Sequence, residues 1–392
     1  MLPGHARGPS AFSPVPPGGR VARGAHVQAV ILVGGEGTRL RPLTSTVPKP
    51  VVPLVDRPFI TYMLEWLHAN GVEDVIMSCG FLATAVRNVL GDGSALGLRL
   101  RFVEEPEPRG TAGALKFAES MLQERFLMLN GDVLTDIDLR AQMDQHERTG
   151  ARGTLALVPV EDPTAYGLVR LQEDRAVKEF VEKPASDEID TNMISAGAYV
   201  LERDVVELIP PNRNVSIERE IWPQLVGGGL YGYPSHSYWL DIGTPDRYLQ
   251  ATFDIMEGHV HTEVGEHLGS SYRLIDEEAD VQGRVVPPAV IERGCQIAAD
   301  ATVGSLAVLA QDSSVGPGTT IERSVVLNGA EIGRNCTLRD CIVSAGCRVG
   351  SHTHITGGAV LGEGVTVGAN NVITRGIRIF PSVTLPDGAI KF

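Results

Sequence analysis

A glycine-rich segment with two cations close by is the part of this sequence best suited to chemistry. Residues 34–44 read GGEGTRLRPLT, and a Pro-Lys-Pro string follows at residues 48–50. Glycines let a backbone approach a polyphosphate closely and turn its N–H groups toward the charge. Arg39 and Lys49 can add positive charge to the same group. The pattern therefore predicts a phosphate-handling site.

Two better-known phosphate-binding motifs do not fit this segment. A P-loop requires a Gly-Lys-Ser/Thr string, and none follows residues 30–33, the apolar run that predicts a buried strand before the glycines. The dinucleotide-binding fingerprint requires a third glycine where Leu40 stands. A tight turn with a solvated Arg39 stays open as the alternative interpretation.

Two aspartates occur at the ends of strand-like segments farther along the chain. Asp132 closes the string FLMLNGD at residues 126–132, and Asp241 lies in YWLDIGTP at residues 238–245. In open α/β sheets, ligands bind beyond the carboxyl ends of the strands. A magnesium ion on a triphosphate takes only one or two protein carboxylates. We therefore predict that Asp132 and Asp241 hold Mg²⁺, with a helix cap or a turn as the alternative role.

Taken together, these segments resemble the signature of the sugar-1-phosphate nucleotidyltransferases, also called nucleotide-sugar pyrophosphorylases. Enzymes of this family join a nucleoside triphosphate to a sugar 1-phosphate and release pyrophosphate and an NDP-sugar. The resemblance implies that Arg39 and Lys49 are the catalytic residues and contact the phosphates. It also implies that Asp132 and Asp241 lie in the two metal-binding segments of the family.

The expected nucleotide site combines the glycine-rich segment with a second loop. This loop, GTAG at residues 110–113, places small residues at a helix start, where they admit a flat ring. It resembles the family's loop beside the base, and its form favours the guanylyl members that use mannose 1-phosphate. A plain helix cap is the alternative. The predicted nucleotide-binding residues are Leu32, Gly34, Gly35, Gly37, Thr38, Gly110, Thr111 and Ala112.

The sugar-phosphate site is inferred from short strings that match family segments around the hexose. Lys183 is the natural partner for the phosphate, and Glu182 can accept hydrogen bonds from sugar hydroxyls. Ser195 stands where the family commonly has asparagine, which puts the hydroxyl selectivity in question. Residues 216–220 are not assigned, because serine before glutamate is also an ordinary helix cap. The predicted sugar-phosphate-binding residues are Gly167, Glu182, Lys183, Ser195 and Gly197.

Residues 26–258, which contain all of these segments, have the sequence pattern of an α/β domain. Strand-like runs such as residues 75–78 and 100–103 alternate with helical patterns near residues 82–90 and over residues 111–122. This alternation predicts a sheet with helices on both faces. With the family resemblance, the expected fold is a Rossmann-like mixed sheet.

The last part of the chain has a different pattern, a six-residue repeat. Aliphatic residues recur every six positions from residue 291 to residue 327 and from residue 343 to residue 373, with one-residue slips around Ile332 and Leu338. The period predicts a hexapeptide solenoid and resembles the left-handed parallel β-helix appended to many of these transferases. We expect this domain at residues 286–392, after a linker at residues 259–285. Because end coils need capping or a partner, a homo-oligomer through the β-helix is expected.

The expected reaction is the synthesis of GDP-mannose and pyrophosphate from GTP and mannose 1-phosphate. A glucose-1-phosphate thymidylyl-, uridylyl- or adenylyltransferase is the close alternative, and a non-catalytic regulatory or scaffold homologue is a distant one. Hexapeptide helices also occur in acyltransferases, where a histidine such as His352 or His354 acts as base. Two isolated histidines in a short repeat are more often surface residues.

Composition narrows the class of protein further. The net charge of −14 over 392 residues argues against nucleic-acid or membrane partners, which require basic surface. No apolar stretch approaches the roughly 18 residues of a membrane span. The five cysteines lack zinc-site or disulfide-scaffold spacing, so buried reduced thiols and a cytoplasmic location are expected. Residues 1–25, rich in Pro, Gly, Ala and Arg, are expected to form a disordered tail.

Overall fold

The computed structural model describes residues 27–80 and 83–391, and the tail predicted at residues 1–25 lies outside the described residues. Its helices are α1 (Phe59–Ala69), α2 (Ala83–Leu90), α3 (Gly110–Phe117), α4 (Leu139–Thr149), α5 (Asp204–Glu207), α6 (Trp222–Leu225), α7 (Pro245–Glu257) and α8 (Glu263–Leu268). The helix predicted over residues 111–122 ends at Phe117, and a separate 3₁₀ turn follows at Glu119–Met121. None of the helices in the described ranges has the length and apolarity needed to cross a membrane.

Within residues 27–80 and 83–258, the strands form one nine-stranded mixed sheet and two small ribbons. They are β1 (Val27–Leu32), β2 (Pro53–Leu54), β3 (Arg57–Pro58), β4 (Val72–Cys79), β5 (Arg99–Glu104), β6 (Arg125–Asn130), β7 (Val133–Thr135), β8 (Gly153–Pro159), β9 (Gly167–Leu171), β10 (Val177–Glu182), β11 (Met193–Glu202), β12 (Leu230–Pro234) and β13 (Trp239–Asp241). The large sheet has the order β10-β9-β11-β6-β1-β4-β5, and β8 pairs with β11 and β12. The predicted Rossmann-like mixed sheet is confirmed.

One half of this sheet consists of parallel strands, and the inner ones, β6, β1 and β4, are apolar on both faces. Strands β6, β1, β4 and β5 run parallel, whereas β11 is antiparallel to β6. Along β1, Val30 and Ile31 belong to different apolar clusters, one on each face of the sheet. Helices on both faces require such continuous apolar runs. Because parallel strands end at one edge, the segments after β1, β5 and β6 meet there.

A two-stranded ribbon brings the two predicted metal ligands together. Strand β13 is antiparallel to β7, with Asp241 opposite Val133. The Ile242 N–H donates to the Asp132 carbonyl at 3.0 Å. Thr244 then caps α7 by accepting from the Arg247 N–H, so the helix begins at Pro245. The two aspartates, far apart in sequence, are therefore neighbours at the same end of the ribbon.

The last part of the chain forms three parallel sheets that stack coil on coil. Its strands are β14 (Arg273–Ile275), β15 (Asp280–Val281), β16 (Arg284–Val286), β17 (Ala289–Ile291), β18 (Gln296–Ile297), β19 (Thr302–Gly304), β20 (Ala307–Leu309), β21 (Ser314–Val315), β22 (Thr320–Glu322), β23 (Ser324–Val326), β24 (Glu331–Ile332), β25 (Thr337–Arg339), β26 (Ile342–Val343), β27 (Arg348–Val349), β28 (His354–Thr356), β29 (Val360–Leu361), β30 (Thr366–Val367), β31 (Val372–Ile373), β32 (Arg378–Ile379) and β33 (Thr384–Leu385). Every third strand pairs in parallel, an arrangement consistent with a left-handed parallel β-helix.

The six-residue spacing predicted from the sequence assigns one residue of the repeat wrongly. The coil advances 18 residues from Ile291 to Leu309, but 17 from Leu309 to Val326 and again from Val326 to Val343. Val326 therefore points into the coil, and the interior position expected for Leu327 is wrong. A residue one position away along a strand faces the opposite side of the sheet. Leu327 packs instead into an apolar cluster shared with the first domain.

The segment expected as a linker, residues 259–285, is structured. It contains α8 and the strands β14 to β16, which are the first coil of the β-helix. Strand β14 pairs with β17 from Arg273 to Ile275. The helical stack therefore starts before residue 286.

One apolar cluster joins the α/β domain to the β-helix. The outer face of the sheet that begins with β14 contributes Val308, Val325 and Ile342, each with 0% exposure. Opposite them lie Leu40 and Leu43, which belong to the glycine-rich segment and its continuation. Burial of such residues stabilises the pairing by about 1.5–3 kcal/mol for each fully buried side chain. The predicted catalytic segment thus packs directly on the β-helix.

Candidate active site

A cavity of about 380 Å³ lies beyond the carboxyl ends of β1, β5 and β6. Pockets for small molecules typically have volumes of about 300–1,000 Å³. The predicted residues in its wall are Leu32, Gly34, Gly35, Lys49, Gly110, Thr111 and Asp132. We refer to this space as the first cavity. It is the expected place of the nucleotide.

The turn that carries Arg39 is shaped by two residues outside the wall of this cavity. Gly37 has a φ of 61°, and a Cβ there would lie 3.1 Å from the Lys49 Cβ. A side chain would therefore strain the backbone and crowd Lys49. Thr44 donates from its hydroxyl to the Gly37 carbonyl at 2.7 Å. Gly37 and Thr38 begin the 3₁₀ turn Thr38–Leu40 rather than lining the cavity.

Two cations and two carboxylates form two ion pairs beside the first cavity, whose wall includes Lys49 and Asp132 but not Arg39 or Asp241. The Lys49 Nζ lies 3.0 Å from the Asp132 Oδ2, and the Arg39 Nη2 lies 3.9 Å from the Asp241 Oδ2. Gly243 leaves room for this arrangement, because a Cβ there would lie 2.9 Å from the Arg39 Nη2. The structure therefore brings together the four charged residues that the sequence analysis proposed.

The carboxylate of Asp241 is incompletely compensated in this arrangement. Its Oδ1 is buried and has no hydrogen-bond partner among the described residues. Burial and the neighbouring charge of Asp132 raise the pKa of Asp241. A buried carboxylate without enough partners is costly, and a divalent cation would supply the missing charge. The residues present therefore fit a hard metal ion bound by carboxylate oxygens.

A second cavity of about 170 Å³ adjoins the first. The two share Asn130 and Asp132. The predicted residues in its wall are Gly167, Glu182, Ser195, Gly197, Asp132 and Asp241. Tyr166 and Trp239 form one side, with their rings edge to face at 5.2 Å between centroids. We refer to this space as the second cavity, the expected place of the hexose.

The polar side chains of the second cavity are mainly hydrogen-bond acceptors. Burial and the charge of Glu218 raise the pKa of Glu182. The hydroxyl oxygens of Ser195 and Tyr199 lie 3.0 Å apart. Lys183 is exposed and is not part of the wall, so its predicted contact with the sugar phosphate gains no support from the cavity.

The residues that line the two cavities lie in a part of the chain that matches a known protein family. Residues 28–258 match the family described as nucleotidyl transferase, which is more than half of the chain. This chain belongs to the nucleotidyl transferase family. Residues 285–390 match a second family, described as the GMPPB C-terminal domain.

The relatives of this nucleotidyl transferase extend over nearly its whole length. The mannose-1-phosphate guanylyltransferase of Mycobacterium tuberculosis is 36% identical over 372 residues, covering 94% of this chain and 98% of the relative. The catalytic subunit beta of the Danio rerio mannose-1-phosphate guanylyltransferase is 33% identical, with 92% and 98% covered. The crystal structure of HddC from Yersinia pseudotuberculosis complexed with GMP-PN has a TM-score of 0.51 and 28% identity, covering 58% of this chain and 99% of that one.

Ala112, like Gly37 and Thr38, is a predicted nucleotide-binding residue that does not line the first cavity. The side chain of Ala112 is fully buried in the core beneath α3. Its N–H donates to the Val215 carbonyl at 3.0 Å, and the Gly113 N–H donates to the same oxygen. The first turn of α3 is thus satisfied within the protein. The expected contact of Ala112 with a base is therefore not supported.

Two charged residues of the first cavity were not assigned from the sequence. Glu105 follows β5, and its Oε1 accepts from the Ser78 hydroxyl at 2.9 Å. Burial raises the pKa of Glu105. Arg109 stacks its guanidinium over the Phe117 ring at 4.7 Å, and its buried Nε has no partner among the described residues. The position of an acidic residue directly after a strand that ends at the ligand edge could have identified Glu105.

A third unassigned residue, Glu218, links the two cavities. Thr111, in the wall of the first cavity, donates from its hydroxyl to the Glu218 Oε2 at 2.8 Å. The same hydroxyl accepts from the Ile217 N–H at 2.8 Å. Glu218 itself lies in the wall of the second cavity. The segment left unassigned as an ordinary cap therefore holds a residue of the site, although Ser216 does cap it.

The features that suggested other chemistry are placed elsewhere. His352 and His354 are both exposed on the outside of the β-helix coils. All five cysteines lie in the described part of the chain, where they are buried and free. Neither group therefore takes part in the site formed by the two cavities.

Proposed function

We propose that this chain transfers a guanylyl group from GTP to mannose 1-phosphate and so forms GDP-mannose and pyrophosphate. The observation that carries the proposal is the pair of adjoining cavities that meet at Asp132, with Lys49 on one side and Asp241 on the other. Two substrates bound in these cavities would meet beside the four charged residues. The two curated relatives described above bear the name of this activity.

The reaction needs positioning and charge compensation rather than a protein nucleophile. An oxygen of mannose 1-phosphate attacks the α-phosphorus of GTP in line, and the bond to the β-phosphate oxygen breaks as pyrophosphate leaves. Lys49 and Arg39 offset the negative charge that develops on the phosphates. The sugar phosphate is already an anion near neutral pH, so a dedicated general base is not required.

The metal in this proposal is Mg²⁺. Asp132 and Asp241 would hold it, and the Oδ1 of Asp241, which has no hydrogen-bond partner within residues 27–80 and 83–391, supports this role. When bound, the ion supplies positive charge to the phosphate oxygens. The Lys49 ammonium contacts the Asp132 carboxylate and keeps that side chain beside the first cavity.

Guanine fits the polar groups of the first cavity better than the other bases do. Guanine presents two adjacent donors, N1–H and N2–H₂, and two acceptors, O6 and N7. The Glu105 carboxylate can accept from the donor edge, and the Arg109 guanidinium can donate to acceptors. Adenine, uracil and thymine do not present two adjacent donors to a carboxylate. These two side chains therefore support GTP as the nucleotide.

The hexose would lie among the acceptors of the second cavity. The carboxylates of Glu182 and Glu218 can each accept hydrogen bonds from sugar hydroxyls, and an analogue without those hydroxyls would leave them unpaired. Gly167 leaves room for the Glu182 carboxylate in this wall, since a Cβ there would lie 3.2 Å from the Glu182 Oε2.

Self-association through the β-helix is part of the proposal. Phe380 and Val383, on the last coils, are 51% and 38% exposed, and an apolar surface at the end of a stack is suited to a second copy of the chain. Light scattering of the purified protein would give its mass. A cytoplasmic location stays a prediction.

The experiment that tests the proposed reaction is a substrate panel. Pyrophosphate release is measured with Mg²⁺ for GTP, ATP, UTP and dTTP, each with mannose 1-phosphate and with glucose 1-phosphate. We expect the highest kcat/KM for GTP with mannose 1-phosphate. Preference for another pair would contradict the assigned substrates, and no turnover with any pair by folded protein would contradict the reaction itself.

A further inference from the structure

One row of aligned residues on the outer face of the β-helix is apolar except for its last member, which is an arginine. Parallel pairing aligns one residue from each strand of the sheet that begins with β14. The aligned residues are Leu274, Val290, Val308, Val325, Ile342, Val360 and Arg378. The six apolar members belong to or pack against the cluster shared with the α/β domain. Arg378 ends the row where this apolar contact ends.

Arg378 reaches the segment that carries Arg39. Its Nη1 donates to the Arg39 carbonyl at 3.0 Å and to the Arg41 carbonyl at 3.2 Å. Between these two carbonyls lies Leu40, which is 1% exposed and packs in the shared cluster. The turn is therefore held in two ways. The Leu40 side chain packs in the shared cluster, and the Arg378 guanidinium donates to two backbone carbonyls.

We propose that Arg378 is a positioning residue for the transfer reaction. By binding the carbonyls on both sides of Leu40, it fixes the turn from which the Arg39 side chain extends toward Asp241. The proposal rests on the proposed function, because it takes Arg39 to contact the triphosphate. A misplacement of about 1 Å at a reacting centre can cost about 100-fold in rate. The last coils of the β-helix thus complete the active site of the α/β domain.

The chemistry of the contact suits an arginine. A charged donor forms stronger hydrogen bonds to carbonyl oxygens than a neutral one does. The planar guanidinium is pre-organised, whereas a lysine ammonium sits on a flexible stem and would hold the two carbonyls less firmly. Because the Arg378 side chain is exposed, its removal leaves no cavity in the core. The effect of a substitution should therefore fall on the turn rather than on the fold.

Hydrogen exchange tests the contact without any assumption about activity. We compare the wild-type chain with Arg378→Ala and with the control Arg348→Ala, which removes an exposed arginine from another sheet of the β-helix. The amides of residues 37–44 should exchange at least several-fold faster in Arg378→Ala and at the wild-type rate in the control. Unchanged exchange in Arg378→Ala would overturn the positioning role, whatever reaction the chain catalyses.

Kinetics then test the consequence for transfer. We expect kcat for GTP and mannose 1-phosphate to fall about 10- to 100-fold in Arg378→Ala, with KM for mannose 1-phosphate within about twofold of wild type. Arg378→Lys should recover part of kcat, and millimolar guanidinium should partly restore Arg378→Ala. A kcat equal to that of Arg348→Ala would overturn the proposal. A lower melting temperature with no rescue by lysine or guanidinium would overturn it as well.

Discussion

At the residue scale, the central feature is the buried carboxylate of Asp241, whose negative charge is only partly compensated by its neighbours. Asp241 lies beside Asp132 and opposite Arg39, and one of its oxygens has no hydrogen-bond partner in the described chain. Evenly paired charges would have satisfied both carboxylates. The arrangement instead suits two carboxylates that share a divalent ion with phosphate oxygens.

Replacing this carboxylate gives a direct test of its role. Asp241→Asn keeps the shape of the side chain but removes its charge, so kcat should fall about 100- to 1,000-fold, as for the loss of a group that stabilises developing charge. The melting temperature should not fall, because the variant removes a buried, poorly compensated charge. Pyrophosphate release and circular dichroism measure the two effects. Asp144→Asn, an exposed position on α4, is the control. Turnover equal to this control would remove Asp241 from the site.

The base preference should depend on Glu105. Glu105→Gln keeps one carbonyl acceptor but replaces the other oxygen with a donor that faces the donor edge of guanine. Loss of a paired base contact is worth about 1–3 kcal/mol, so kcat/KM for GTP should fall about 10- to 100-fold. Competition between GTP and ATP measures the selectivity. Glu107→Gln alters an exposed residue of the same loop and should behave as wild type. An unchanged GTP-to-ATP ratio in Glu105→Gln would show that the base is read elsewhere.

Spacing in the sequence predicted the charged residues better than the residues that shape the cavities. Arg39, Lys49, Asp132 and Asp241 do converge, because a strand end and a glycine-rich turn leave few other places for them. The sequence around Ala112 could not show that this residue is unavailable to a base, because its N–H donates to the carbonyl of Val215, which lies far away in the sequence.

At the element scale, the site depends on a contact between α3 and the segment Ile217–Ile221. Thr111 provides it through two hydrogen bonds, one to the Glu218 carboxylate and one from the Ile217 N–H. These bonds join an element of the first cavity to an element of the second. The segment that contacts the wall of the first cavity therefore also contributes to the wall of the second.

Removing this contact should weaken both the fold and the coupling of the cavities. Thr111→Val keeps the shape but leaves the Ile217 N–H without its partner, which costs about 1–3 kcal/mol in the free energy of unfolding. Urea denaturation measures this loss. Thr320→Val, on the outer face of β22, is the control. The KM values of both substrates should rise in Thr111→Val. A free energy equal to that of the control would contradict the role of this hydroxyl.

The periodicity of the sequence predicted the elements but not their exact registers. The six-residue repeat identified the β-helix because its interior accepts only aliphatic side chains at that spacing. It misplaced Leu327, since a coil shorter by one residue moves the interior position and the pattern alone does not say where the missing residue lies. The strand-like segment that contains Asp241 was predicted and forms β13, but its pairing with β7 could not be predicted, because three-residue strands carry little periodic signal.

At the scale of the whole molecule, the β-helix and the α/β domain share a core and a charged boundary. Beside the apolar cluster, Glu292 lies near Asp56 of the α/β domain and Asp276 of the first coil. Burial together with these two charges raises the pKa of Glu292 to about 7. Between an ordinary value near 4.5 and about 7, the folded chain therefore holds a proton that the unfolded chain has lost.

This linkage predicts a pH dependence of stability with a definite sign. Because the folded state binds the extra proton, the free energy of unfolding should fall as the pH rises from about 5 to about 8. Glu292→Gln replaces the titrating carboxyl group with a neutral amide. The variant should be more stable than wild type by about 1–2 kcal/mol at pH 8, after allowance for solvent screening, and its stability at pH 5 should be close to that of wild type. Urea denaturation across this range measures the effect, with Glu277→Gln as control. Parallel pH profiles for wild type and Glu292→Gln would contradict it.

Direct transfer between two bound substrates requires that both be present before the bond from the α-phosphorus to the leaving pyrophosphate breaks, and isotope exchange measures this requirement. Labelled pyrophosphate is incubated with GTP, Mg²⁺ and the protein, with and without mannose 1-phosphate, and its entry into GTP is followed. Direct transfer between the two cavities predicts exchange only when mannose 1-phosphate is present. Exchange without it would reveal a guanylyl group held by the protein itself and would contradict the mechanism built on Arg39, Lys49, Asp132 and Asp241.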